Sequence, residues 1–409
     1  MPSTFWGIIA SHCGCVAVAK GRAVGASLPE DRNGRRIRTS WRAQRDRWRR
    51  VRASRRLTLA RYWLARGDVD EAARHSAHAL RLAGENAANN SAPDRATASL
   101  TLVTEATLVA AQLHRECARY AEGEDLLSRL VHVLDAAVPT DERDRLLAHA
   151  LLQLGQAHLL AGRYDRAGAT LTRAMRLVVH APVREPATLA AVLTSLAIRA
   201  KELGAYDRAA RLYGIVGRIH HESGATVAAA AALGHNLAGL AHARGHYESA
   251  ESHARHAVGL QLTAGADDVA LAKDIAVLAA GLAGQDRYEE ARALLHRAMT
   301  SCQDARPPRR YEIAVHLHNL ASIEQRCGRA VEAERLYRDA LSIKERLLGV
   351  DHREVALVAN NLATLLMDQE RHAEAADLLR RALSIVERRL PPGHPMAGAI
   401  RHNLRDLTA

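Results

Sequence analysis

Aromatic residues make up only 3% of this 409-residue chain, and phenylalanine occurs once. Sheets draw on β-branched and aromatic side chains, so a chain this poor in rings and rich in Ala and Leu points to helices packed through small residues. Lysine is scarce too: Lys20, Lys201, Lys273 and Lys344 are its only occurrences, and arginine carries the positive charge. The five cysteines (Cys13, Cys15, Cys117, Cys302, Cys327) form no CxxC pair and are odd in number, which argues against a disulfide framework. A reducing, cytoplasmic setting is the matching expectation. The apolar stretch Phe5 to Ala19 falls short of the roughly 20 residues that span a bilayer and lacks the basic residues that precede a secretory core. No membrane association is expected.

Catalytic signatures are missing as well. Every glycine cluster falls at a predicted helix turn, so none forms a phosphate-cradling loop, and no GxSxG elbow occurs. Cys327 follows His316 and His318 on one predicted helix, but nothing pairs them as nucleophile and base. The 22 histidines include His235, His242, His246, His253 and His256 close together, yet no HExxH or Glu-x-x-His spacing completes a zinc set. Neither an enzyme nor a metal or cofactor site is expected.

The net charge of +12 is localised. Residues 1–56 hold fourteen Lys and Arg against Glu30, Asp31 and Asp46, which accounts for all but one of the net positive charges. That segment is read as a basic, disordered N-terminal extension, with Trp41, Trp48 and Val51 on one face if it becomes helical. Residues 57–409 are near charge balance and read as one domain.

Within those residues one pattern recurs every 41 to 51 positions, about eight times, and the last two copies align without a gap at a spacing of 42. A small residue sits midway along each first helix (Gly155, Ala197, Ala238, Ala279, Ala321, Ala363). A turn position follows, usually glycine (Gly162, Gly204, Gly245, Gly328). An alanine then comes early in the second helix (Ala167, Ala209, Ala250, Ala291, Ala333, Ala375). Helices that pass at the short end of the 8 to 10 Å range cannot place large side chains at the crossing, and a turn glycine accepts the left-handed conformation that ends a helix. Repeats of this length stack as a solenoid, in which each unit contacts mainly its neighbours and function lies on an extended surface.

The pattern resembles the tetratricopeptide repeat, and the last copies look most like the 42-residue form of kinesin light chains. The residues that carry the likeness are Asn319-Leu320-Ala321, Asn361-Leu362-Ala363 and the run from Glu332 to Ile343. The resemblance implies an all-α, right-handed superhelical solenoid of about eight antiparallel hairpins, with a capping helix at about 393–409. It also implies a concave face lined by first-helix residues, where Asn side chains hold the backbone of an extended peptide. Asn236, Asn319, Asn361 and Asn403 fill that position, whereas Gln153, Ser195 and Val277 depart from it. His235, His318, Asn360, Lys273 and Arg326 neighbour it, with His242 and His402. An amide suits the task because it offers donor and acceptor together. The competing reading is that these Asn bond within the repeats or face water.

The expected function is a protein-interaction scaffold that binds an extended peptide or partner segment, acidic or neutral in character. The alternative is a regulatory protein whose residues 35–56 contact nucleic acid through Arg and Trp while the solenoid senses a partner. Oligomeric state is not legible.

Overall fold

The computed structural model describes residues 34–65, 68–88, 93–117, 119–266, 268–305 and 308–407. The Phe5 to Ala19 stretch, Cys13 and Cys15 lie outside them. Among the described residues there are seventeen α-helices and no strand. They pair as eight hairpins: α1 (Gly34–Ala65) with α2 (Val69–Ala88), α3 (Pro93–Glu116) with α4 (Tyr120–Ala136), α5 (Asp141–Leu160) with α6 (Tyr164–His180), α7 (Pro186–Glu202) with α8 (Tyr206–Ser223), α9 (Val227–Ala243) with α10 (Tyr247–Thr263), α11 (Asp268–Ala283) with α12 (Tyr288–Asp304), α13 (Arg310–Arg326) with α14 (Ala330–Leu348), and α15 (Arg353–Asp368) with α16 (His372–Arg389). A single helix, α17 (Pro395–Asp406), follows where the sequence leads one to expect a cap. The architecture is an all-α solenoid of helical hairpins.

The small residues lie where the repeat pattern requires them. Ala197, Ala238, Ala279, Ala321 and Ala363 of the first helices, and Ala167, Ala209, Ala250, Ala291, Ala333 and Ala375 of the second helices, are all fully buried. At Gly155 a Cβ would come within 2.6 Å of Leu171, so there even alanine is too large unless the leucine yields. The turn position has positive φ in every one of these hairpins. Gly162, Gly204, Gly245 and Gly328 supply it cheaply, while Asp286 (φ 61°) and Glu370 (φ 60°) adopt the same conformation without glycine's freedom. The sequence pattern registers those last two turns only as departures.

The chain divides into two compact units, one of residues up to Cys117 with Ala121–Ala150, the other of Ala118–Tyr120 with Leu151–Ala409. The first differs from the sequence expectation. Residues 34–56 belong to α1, a helix continuous with the first hairpin. Ala53, Leu57 and Ala60 of α1 are buried in one cluster with Ala72, Ala79 and Ala83 of α2. A shared apolar face therefore carries the helix back into the basic stretch. Trp48 and Val51 do sit on an exposed side of it, at 62% and 45% exposure. The second unit holds the largest core, running from Tyr164 through Leu320, Tyr337 and Leu362 to Ile400.

Candidate binding surface

In the second unit the successive first helices are α7, α9, α11, α13 and α15, followed by α17. Their polar side chains bond from one helix to the next. His235 of α9 meets Asp274 of α11 through Nδ1 at 2.7 Å. Asn319 of α13 donates its amide to the carbonyl of Ala276 in α11 at 3.3 Å. Asn361 of α15 places its amide 3.5 Å from Nε2 of His318 in α13. Asn360 donates to the side-chain oxygen of Asn361 at 3.3 Å, and Asn403 of α17 donates to that of Asn360 at 3.0 Å. Asn403, Asn360, Asn361 and His318 thus form one ladder across three helices.

Five of the nine expected site residues are brought together or linked this way on α13, α15 and α17, and His235 lies on a separate rung. Asn236 donates instead to Ala232 of its own helix, at 2.8 Å. Lys273 is exposed beside the buried Asp274. Arg326 reaches the turn before α12, where Nη1 lies 3.1 Å from the Tyr288 hydroxyl and 3.4 Å from Asp286. Ser195, the departing residue of α7, is buried, donates to Ala191 and accepts from Gln156. Each Asn amide therefore has at least one bond inside the solenoid, and Asn360 and Asn361 have two. Since an amide carries two N–H donors and two acceptor lone pairs, those bonds fix its orientation without exhausting it.

Burial sets the electrostatics of this face. It pushes His318 down to about 3, with the Lys344 ammonium adding to the effect against the opposing Glu354 carboxylate. His316, fully buried in the same helix with neither ring nitrogen bonded, is pushed down to about 4 by desolvation. Both rings are neutral near pH 7, so the ladder is a dipolar surface and not a cationic one.

Sequence reasoning missed a second set of polar contacts in this unit. Lys344, 3% exposed, pairs with Glu354 at 2.8 Å, and the Tyr311 hydroxyl donates to the same carboxylate at 2.8 Å. Burial alone would raise Glu354, but the Lys344 ammonium overcomes it and holds the carboxyl at about 2. Arg353 pairs with Glu202 and lies 3.2 Å from the Tyr164 hydroxyl. Beside it, Nε2 of His352 is 2.8 Å from the Leu160 carbonyl, and Nε2 of His394 is 3.0 Å from that of Glu202. The only signal in the sequence was that His352 and His394 occupy the same position of two aligned repeats.

Among the described residues no group of three or more His, Cys, Asp or Glu could hold a metal ion, and no helix is long and apolar enough to cross a membrane.

Tetratricopeptide-repeat models match residues 312–404 and again residues 150–185, so the chain carries that repeat in those segments. No curated protein matches the sequence. Among solved structures, the Rap conjugation gene regulator of plasmid pLS20, in complex with the Phr* peptide, is similar over 82% of this chain and 95% of its own, at 12% identity and a TM-score of 0.61. A Rap protein complexed with Competence and Sporulation Factor is similar over 76% of this chain and 85% of its own, at 11% identity and a TM-score of 0.57. These likenesses concern the fold. Repeats of a putative kinesin light chain from Podosopora anserina cover 50% of this chain and 97% of their own, at 21% identity and a TM-score of 0.37.

Proposed function

We propose that this protein is a non-catalytic interaction scaffold, and that the first-helix face of α9 to α17 binds an extended peptide or partner segment. The observation that carries the reading is the ladder from Asn403 through Asn360 and Asn361 to His318. It is a row of oriented, uncharged donors and acceptors of the kind that matches a peptide backbone and imposes no side-chain sequence. Orientation by internal bonds lowers the entropy lost on binding. The complexes of two proteins of like fold, one with the Phr* peptide and one with Competence and Sporulation Factor, lend support. Lys273 and Arg326 at the margins favour an acidic or neutral segment over a basic one.

The test starts from peptides selected by display against the full chain, then titrated by calorimetry. Asn319→Ala with Asn361→Ala should weaken binding by roughly 1–3 kcal/mol, the scale of desolvated hydrogen bonds lost. Gln153→Ala serves as the control. Unchanged affinity in the double variant, with sensitivity on the opposite face, would overturn the assignment.

A second reading keeps a nucleic-acid contact on α1. It is favoured by the exposure of Trp48 together with exposed Arg45, Arg47, Arg52 and Arg55 on the same helix. A gel shift whose apparent affinity falls steeply with salt, and is lost when these four arginines become glutamine, is its expected signature.

A further inference from the structure

His352 and His394 stand 42 residues apart, and each makes the same two bonds. The ring Nδ1 accepts a backbone N–H two residues on: that of Glu354 at 3.2 Å for His352, and that of Met396 at 3.1 Å for His394. Nε2 meets a carbonyl 192 residues earlier in both cases, Leu160 at 2.8 Å and Glu202 at 3.0 Å. A carbonyl can only accept and a backbone N–H can only donate. The proton therefore sits on Nε2, and both rings are neutral in this geometry. Leu160 and Glu202 are the last residues of α5 and α7, whose final carbonyls have no partner within their own helices. The N–H groups of Glu354 and Met396 are the matching orphans at the starts of α15 and α17. One imidazole thus ties the end of one helix to the beginning of another, twice, in equivalent register.

A glycine adjoins each tie. A Cβ added at Gly162 would lie 3.5 Å from the His352 ring, and one at Gly204 would lie 3.1 Å from Pro395. The Arg353–Glu202 pair lies between the two ties.

We propose that His352 and His394 form an acid-released latch that holds the eighth hairpin and α17 against the third and fourth hairpins. A second proton must go to Nδ1. That removes the acceptor from the N–H of Glu354 or Met396 and places a cation at the positive end of a helix. The groups facing His352 are Arg353 and Lys344, which oppose the cation, and Glu354 with the Leu160 carbonyl, which favour it. Those facing His394 are Arg353, opposing, and Glu202 with its carbonyl, favouring. Both rings are only 7% exposed, so burial weighs against the charged form and leaves each ring below its ordinary range. In the released state the rings are solvated and titrate normally. The latch is therefore fully held above about pH 6.5 and weakens as the pH falls below it.

The experiment is hydrogen exchange of the full chain at pH 7.5 and 5.0, corrected for intrinsic rates, with small-angle scattering in parallel. On acidification the segments that begin α15 and α17 and the turns after α5 and α7 should lose protection together by at least about tenfold, and the radius of gyration should rise. His352→Gln with His394→Gln supplies an acceptor oxygen and an N–H donor without titrating, and should stay closed at both pH values. His352→Ala with His394→Ala should be open already at pH 7.5. Imidazole nitrogen shifts of the unsubstituted protein give an independent readout, whether or not glutamine fits. They should report the Nε2–H tautomer for both rings and a titration midpoint shared with the opening. No change in exchange at pH 5.0, or an opening whose midpoint belongs to His316 or His318, overturns the proposal.

Discussion

Ala333→Arg tests the repeat geometry most directly. Ala333 lies early in α14, has no exposed surface, and belongs to the core that includes Ala321 of α13 and Leu336. An arginine there has two outcomes. Either α14 lifts away from its partner, which forfeits packing by the 1–3 kcal/mol typical of overfilled cores, or the guanidinium is buried without a carboxylate, at about 3–5 kcal/mol. Arg335, two residues on, is the internal comparison. Its side chain is 57% exposed and pairs with Glu332 at 2.6 Å and Asp339 at 2.9 Å. Solvent-exposed pairs of this kind are worth about 0.2–1 kcal/mol, so Arg335→Ala should cost less than about 1 kcal/mol. In a domain of this size each kcal/mol moves Tm by roughly 2–4 °C, which separates a drop near 10 °C from one of a few degrees. Because solenoid hairpins are stabilised by their neighbours, the damage should be local at first: the C-terminal hairpins should melt ahead of the rest. The assay is thermal melting by circular dichroism, with hydrogen exchange to locate the loss. Equal melting temperatures for the two variants would refute the alignment on which the hairpin crossings rest.

Further outcomes follow from the same reasoning. His316 and His318 are held neutral by burial, so the folded state binds fewer protons than the unfolded one below pH 6.5; stability should fall by about 2 kcal/mol per ring between pH 6.5 and pH 5 and recover on neutralisation, read by urea melts. Gly284→Ala places a Cβ 2.3 Å from the Tyr247 ring and should cost about 1–3 kcal/mol, whereas Gly259→Ala, with open space around it, should be neutral or stabilising. Deleting residues 1–56 removes the buried Ala53 and most of α1, so the first unit should lose cooperative melting. An unchanged melt would mean that α2 and α3 hold together without it.

The sequence by itself determined the repeat. Its period, the buried alanines from Ala167 to Ala375 and the turn glycines are local requirements of a hairpin, met within about 40 residues, so they recur visibly along the chain. The last helix was legible for the same reason: GHPMAGAIRHNL restarts the first-helix pattern, and α17 forms there. The Asn positions were legible as positions, but not the partners of each amide, because those lie on the next first helix and depend on how adjacent hairpins are rotated. Composition placed the basic stretch outside the fold; α1 runs through it because Ala53 and Leu57 have an apolar partner in α2, and net charge does not report that. What only the tertiary structure decided were the contacts 192 residues apart: His352 on Leu160 and His394 on Glu202. Their register depends on small rotations that accumulate from hairpin to hairpin, each set by side-chain packing, and no local spacing in the chain encodes the sum.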